Sequence, residues 1–467
     1  MKKTKIVATI GPATESEAQL TALLKAGLNV MRLNFSHGDF KEHQGRVDNL
    51  RKAMKKTGIP AAILQDLGGP KIRIGMFKTE SVMLKVGQTF TLTTDKIEGD
   101  ETRVSINYPL LPKEVEKGHI IFLHDGKKKL QVTDVKGNDV ICKVLVGGDI
   151  KGKRGVNLPD SDLSIKALTD KDLADLEFGI KNKVDFIALS FVRRPSDITE
   201  LREILAKRKC DAGIIAKIET PQAITNIDEI IDLVDGIMIA RGDLAIEVPY
   251  AKVPGYQKMM IEKCNALGKP IITATQMMES MIKSPVATRA EVSDVANAII
   301  DGTDAVMLSE ETTLGDFPVD AVTVMSTVAE EIESEYETGF AISETPEGTL
   351  SSVDALSAAA VNTAEDTASE ALVVISDDVK TTWMVARFKA SMPVYAVTSN
   401  ERTFNKLNLS WGVTPVLVKK AKTFAEAVKG AKAEIAKMKM VKKGDIVTIL
   451  GALDMKGEAN AVIVEKI

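Results

Sequence analysis

The chain has 467 residues, enough for two or three domains and a sizeable core. Its formal net charge is −4 with 27 % charged residues, so no basic field favours nucleic acid, and no apolar run approaches the length of a membrane span. The opening MKKTKIVATIG is too short an apolar run for a signal peptide, and Cys142, Cys210 and Cys264 fit neither a disulfide framework nor a zinc site, so a cytoplasmic protein with reduced, mostly buried thiols is expected.

Lys5–Ile10 is apolar and β-branched, and Gly11-Pro12 stops it. A helix is expected over Glu15–Ala26 with Gly27 as its C-cap, then a strand over Asn29–Phe35, a polar helix over Lys41–Lys56 and a strand over Ala61–Leu64. This alternation implies parallel strands joined by right-handed crossovers. From about Pro70 to Asp160 the rhythm changes to short β-branched runs punctuated by Gly, Asp or Pro, with no pattern of helix length; this is read as an inserted antiparallel β-barrel or sandwich. Gly147-Gly148-Asp149-Ile150-Lys151-Gly152-Lys153 is a near miss to a phosphate-binding P-loop. Arg154 follows where Ser or Thr is needed, and no helix comes next, so the stretch is read as a turn. No GxGxxG follows a strand.

A helical pattern returns over Ser164–Gly179, and strands are expected at Asp185–Ser190, Ile214–Ile218, Ile237–Ala240, Pro270–Ala274 and Ala305–Leu308. With the first three they make eight, and eight parallel strands close a (β/α)8 barrel without exposed edges. Glu330–Pro346 loses its helical periodicity towards Gly339. After it come an Ala-rich helix (DALSAAAVNTAED) and the strand runs ALVVIS, MPVYAVTS, TPVLV, IVTIL and AVIVEKI, read as a small α/β domain for regulation or oligomerisation. The division expected is therefore barrel 1–69, β lid 70–163, barrel 164–338 and C-terminal domain 339–467.

The segment Ile214–Pro249 organises the rest. Its two apolar strands stop on charge, Lys217 and Glu219 at the first and Arg241 and Asp243 at the second. The C-terminal strand ends of such a barrel share one crevice, so these four groups are expected to converge. Two neighbouring carboxylates call for a positive charge between them, and a hard divalent cation supplies it; a structural ion-pair network is the plainer alternative. Around the same rim fall Arg32, Asn34, Ser36, His37, Asp66, Lys71, Arg73, Arg193, Arg194, Thr275, Gln276, Ser309, Glu310 and Glu311. Arginines at this density suit phosphoryl oxygens, which guanidinium groups bind in pairs.

KIVATIGP, NVMRLNFSHG, GPKIR, KIET, IMIARGDLAIEVP, PIITATQMMESM, ATRAEVSDVANAIIDGTDAVMLSEE and GDFP occur in this order along the whole chain, which resembles the pyruvate kinase family. The resemblance implies transfer of a phosphoryl group from phosphoenolpyruvate to ADP in glycolysis, and commonly a homotetramer. It places Mg2+ (or Mn2+) on Glu219 and Asp243, and Lys217 beside the transferring phosphoryl group. Arg32 is placed on the substrate phosphate, Arg73 near the transferred group and the nucleotide, and Gly242, Asp243 and Thr275 on the substrate's carboxylate side. A monovalent-cation site falls on Asn34, Ser36, Asp66 and Leu67, and nucleotide contacts on Asn34, His37 and Arg194. Relatives that need K+ have Thr and Glu where this chain has Leu67 and Lys71, so independence of K+ is expected. Ser376–Thr382 matches a sugar-phosphate loop, but Asp377 and Asp378 repel phosphate; fructose 1,6-bisphosphate is not expected to be a strong activator, and a monophosphate effector, sugar or nucleotide, stays open.

Three departures from the family pattern stand out: His124-Asp125-Gly126 in the lid in place of two acids, Ala245 after GDL, and Glu310 within Ser309-Glu310-Glu311. A Mg2+-dependent lyase or aldolase that stabilises a pyruvate enolate is the alternative from the residues alone, and a phosphometabolite sensor is a third.

Overall fold

The computed structural model describes residues 2–336, 351–455 and 457–467. Eight parallel strands close into a barrel: β1 (Lys5–Thr9), β2 (Val30–Asn34), β3 (Ala62–Asp66), β4 (Phe186–Leu189), β5 (Gly213–Ile218), β6 (Gly236–Ala240), β7 (Ile271–Ala274) and β8 (Ala305–Leu308). β1 completes the closure by pairing with β8, Lys5 opposite Ala305. Most of these strands are buried on both faces, which is why each reads as an unbroken apolar run rather than an alternation. The first helix, Glu17–Ala26, starts at Ser16, whose side chain accepts from the Gln19 amide, and ends at Gly27. Gly27 has φ +117°, and any Cβ there would lie 2.4 Å from Ser326 Oγ, so only glycine serves.

The lid has its own core around Phe90, Leu92, Ile121, Leu130 and Cys142. Its six-stranded sheet runs in the order Val156–Asn157, Ile120–Leu123, Lys128–Lys136, Asp139–Val146, Thr89–Thr93, Arg103–Ser105. A two-stranded ribbon pairs Ser81–Leu84 with Gly148–Lys151. The stretch read as a turn around Gly147 is therefore largely a strand. Its partner lies more than sixty residues away, and a Cβ on Gly147 would lie 2.2 Å from the Leu84 carbonyl oxygen, so the glycine marks close strand contact. The lid also holds one helical turn, Leu111–Glu114, which the sequence did not announce.

The helix expected from Ser164 begins only at Asp170, where Thr169 and Asp172 form a reciprocal cap. The residues before it stay irregular, and Arg193 captures the carbonyls of Leu163 and Ile165 there. Residues 337–350, which carry the expected loss of helicity and the expected boundary at 338/339, lie outside the described residues. The C-terminal domain has strands β9 (Ala371–Ile375), β10 (Val394–Thr398), β11 (Val413–Leu417), β12 (Ile446–Gly451) and β13 (Ala461–Lys466), ordered β11-β10-β9-β12-β13 with β13 antiparallel. One apolar cluster runs from the barrel interior (Val7, Phe186, Met238) into this domain (Trp383, Leu407, Leu450). The barrel's opposite end is left for the lid.

Candidate active site

The C-terminal ends of the barrel strands carry a connected group of charges. β2 and β3 are paired so that Arg32 and Asp66 come together: Arg32 Nε and its Nη2 each stand 2.7 Å from Asp66 Oδ2. The remaining Arg32 nitrogen donates to Thr9 Oγ1 on β1 at 2.7 Å, which locks the guanidinium plane. From β5, Lys217 Nζ reaches Ser190 Oγ at 2.7 Å, Glu219 Oε1 at 3.0 Å and Asp66 Oδ1 at 3.3 Å. Glu219 turns its other oxygen to the Phe191 amide at 2.7 Å. Ser190 donates to the Leu67 carbonyl at 2.7 Å, tying β4 to the end of β3.

Burial would discharge Lys217, but the carboxylates of Asp66 and Glu219 more than offset it and push the ammonium up to about 12. Burial would also favour a neutral Asp66, yet Lys217 and Arg32 hold it below the usual carboxylate range. Glu219 lies above its ordinary value, first through burial and then through Asp243, with Lys217 pulling the other way. Burial thus outweighs the pull of Lys217, and a divalent cation between Glu219 and Asp243 would add positive charge to both carboxylates.

Asp243 sits in the short helix Arg241–Glu247 after β6 and faces the cleft without an ion pair among the described residues. Next to it, Gly242 presses on Thr275: a Cβ at 242 would lie 2.6 Å from Thr275 Cγ2. Thr275 and Gln276 both hold left-handed backbones (φ +74° and +57°), a strain that aims their side chains into the cleft. That cleft, about 1190 Å³ between lid and barrel, is lined by Gly242, Asp243, Thr275, Glu310 and the lid's Asp125 and Lys129.

Arg241 does not join the expected foursome. Its guanidinium turns to Asp294, two bonds of 2.7 Å, and to the carbonyls of Ala274 and Thr275. Arg193 is spent on lid-linker carbonyls, whereas half-exposed Arg194 reaches the Leu163 carbonyl (3.3 Å) and Asp162 (3.6 Å). Arg73 lies on the lid's first crossing, bridged to Gly155, and Lys71 is exposed beside it. Asn34 Oδ1 accepts from the Ser36 amide (3.0 Å), and exposed His37 offers its carbonyl to His43 Nε2 (2.9 Å).

Ser190, Thr9 and Glu247 were not singled out from sequence. Ser190 and Thr9 each follow or end an apolar strand run, the same signal that marked Lys217 and Asp66. Glu247 accepts from Asn157 Nδ2 of the lid at 2.8 Å and is pushed up to about 7, mainly by burial, with Asp243 and Glu219 adding to the effect.

For Mg2+ the donor chemistry fits, two hard carboxylates on one rim: Asp243 lines the cleft, and Glu219 is buried beside it with its oxygens on Lys217 and the Phe191 amide, so Oε1 would be shared between Lys217 and the ion. No group of three or more His, Cys, Asp or Glu ligands occurs among the described residues, so the protein alone offers no closed cage. No helix among the described residues is long and apolar enough to cross a membrane.

Two family models match the chain, "Pyruvate kinase, barrel domain" over residues 1–322 and "Pyruvate kinase, alpha/beta domain" over residues 354–465. The chain is 44 % identical over 466 residues to a pyruvate kinase of Staphylococcus saprophyticus, covering 98 % of this chain and 80 % of that one. It is also 44 % identical over 470 residues to one of Geobacillus stearothermophilus, covering 100 % and 80 %. Among solved structures, a pyruvate kinase from Cryptosporidium parvum superposes with a TM-score of 0.94 at 34 % identity, over 100 % of this chain and 96 % of that one.

Proposed function

The chain belongs to the pyruvate kinase family and catalyses phosphoryl transfer from phosphoenolpyruvate to ADP, giving pyruvate and ATP; from that premise we propose how its residues divide the work. Family membership sets aside the lyase reading.

The observation that carries the assignment is the connected Arg32–Asp66–Lys217–Glu219 group at the strand ends, with Asp243 close enough to act on Lys217 and Glu219. Arg32, held rigid by Thr9 and Asp66, presents a guanidinium whose orientation toward the substrate phosphate needs no further ordering. Lys217 stays charged at neutral pH and so acts as a fixed cation beside the transferring phosphoryl group, not as a proton carrier. Glu219 and Asp243 would hold Mg2+, which when bound neutralises phosphoryl and carboxylate oxygens. The amides of Gly242 and Asp243 and the Thr275 hydroxyl receive the substrate's carboxylate. Arg73, Asn34, His37 and Arg194 lie toward the nucleotide. When the phosphoryl group leaves the enol oxygen for the ADP oxygen, the remaining enolate takes a proton at carbon from water held near Thr275. Lys217→Met tests this division: kcat is expected to fall about 10²–10³-fold with a modest change in KM, because the charge acts mainly in the transition state. An unchanged kcat with a raised KM would reduce Lys217 to a binding group.

Independence of K+ draws support from the same geometry. Both Asp66 oxygens are taken by Arg32 and Lys217, the Leu67 carbonyl accepts from Ser190 and Asn34 Oδ1 accepts from the Ser36 amide. Asp66, the one carboxylate among the candidate ligands, thus already carries two fixed cations, which disfavours a third beside it. Turnover with Mg2+ in tetramethylammonium buffer is expected to be substantial, with a new K+ requirement in Lys71→Glu. Strong activation of the unaltered enzyme by KCl beyond an ionic-strength control would contradict it.

In the C-terminal domain, the Asp377 carboxylate is already held by the Ser399 amide (2.7 Å) and the Ser399 and Thr398 hydroxyls. An internal anion occupying these donors supports the reading that fructose 1,6-bisphosphate does not lower the KM for phosphoenolpyruvate severalfold. A sugar or nucleotide monophosphate effector remains compatible with Lys380 and the neighbouring hydroxyls. A homotetramer, as the family commonly forms, is the proposed assembly, to be checked by light scattering.

A further inference from the structure

The helix Arg241–Glu247 is only about 10 Å long, so its two ends move together. Its first residue is fixed to the barrel by Asp294 and by the carbonyls after β7, and Gly242 is wedged against Thr275. Its last residue grips the lid instead. Glu247 accepts from Asn157 Nδ2 at 2.8 Å and from the Leu158 backbone. Asn157 ends the lid strand Val156–Asn157, which pairs with Phe122, and the residues before it pair with the lid's first crossing (Arg73 with Gly155, Val156 N to Ile72 O at 3.0 Å). Holding Asn157 therefore holds both crossings. One residue earlier on the helix, Ile246 lies against the lid turn His124–Gly126: a Cβ on Gly126 would be 3.6 Å from it. All three residues of that turn are left-handed (φ +54°, +55° and +80°), a conformation with little freedom to adjust.

We propose that Glu247 is a positioning residue that couples the seating of the lid to the placement of Gly242 and Asp243. It touches no reacting atom. With the Asn157 bond made, lid and helix move as one piece, and the position of Asp243 relative to Glu219 follows the seating of the lid. The proposal rests on the reading of Asp243 as a metal ligand. Other ties of the return segment to the barrel, from Arg193 to Leu163 O and Ile165 O, Arg194 to Leu163 O and Asp162, and Gln222 to Ser161 O, leave from different elements and do not touch this helix.

The test uses Glu247→Ala, Asn157→Ala, their double variant and Glu247→Gln in the full chain. Each alanine variant is expected to lower kcat about tenfold, weaken Mn2+ binding to the substrate-free enzyme about three- to tenfold, and speed amide exchange over residues 153–163. The double variant is expected to be no worse than either single one, because both break one link. Glu247→Gln keeps an acceptor for Asn157 and is expected to recover most of kcat. Asn157→Ala, on the lid, carries the test if Glu247→Ala does not fold. Single variants with intact kcat and Mn2+ affinity, or losses that multiply in the double variant, would overturn the coupling. Unchanged Mn2+ binding in Asp243→Asn would instead overturn the metal assignment, and the kcat cycle between residues 157 and 247 would still decide the coupling.

Discussion

The two ends of the barrel are both rich in buried charge and use it in opposite ways. At the end facing the C-terminal domain the charges are held by partners that the fold itself supplies. Lys389 pairs with Asp304 at 2.9 Å, both buried, and Arg402 joins Asp185 and Asp211 and takes the carbonyls of Lys183 and Val184. Lys5 donates to the Val413 carbonyl at 2.7 Å and Arg387 to that of Ala266. At the end facing the lid, Arg32 and Lys217 confront Asp66, Glu219 and Asp243, one carboxylate more than the cations can match. A charge whose partners are all supplied by the fold works as glue between domains. A charge set left one cation short, in a cleft, is prepared for something that arrives.

The difference can be broken from either side. Lys389→Met leaves Asp304 buried without its cation, and a loss of about 3–5 kcal/mol of stability is expected, with turnover per folded molecule within about twofold. Denaturant unfolding beside a coupled assay checks both halves, and a large loss of turnover in folded protein would show that the two ends are not separate. A smaller effect sharpens the comparison through pH. Burial pushes the Asp185 carboxyl up to about 6 from its ordinary 3.8, against the pull of its backbone bond to Ile63 and of Arg402. The protonated form is the one the fold favours, so this contribution is complete below about pH 4 and is lost as pH rises through about 6. Asp185→Asn, neutral throughout, is expected to remove about 2–3 kcal/mol of that decline between pH 4 and pH 7. An unaltered pH slope of the unfolding midpoint would contradict the sign.

How legible these features were depended on how local their causes are. The eight strands stood out because buried parallel strands are apolar throughout and stop abruptly on polar residues; Ala305–Leu308 was bounded to the residue and the others within about two. Arg241 occupies the same strand-end position as its neighbours, and nothing local tells that Asp294, fifty-three residues on, turns it away. The strand Gly148–Lys151 and the delayed helix at Asp170 were hidden for the same reason: one needs Ser81–Leu84 beside it, the other follows a segment whose carbonyls Arg193 captures. At the site, the charged groups were visible as strand ends. Their roles came from the family resemblance, while Ser190 and Thr9, which fix Lys217 and Arg32 in place, share the strand-end position but lack the charge that drew notice to the others.

If the lid-facing end is one cation short and Glu219 and Asp243 are the ligands that take it up, Mn2+ binding to the substrate-free enzyme, followed by electron paramagnetic resonance, will separate the unaltered protein from Glu219→Gln and Asp243→Asn. The amides keep the volume and remove the anionic ligands, so Kd is expected to rise at least about tenfold in each variant while the fold is retained. Equal Mn2+ affinity in all three proteins would contradict the account.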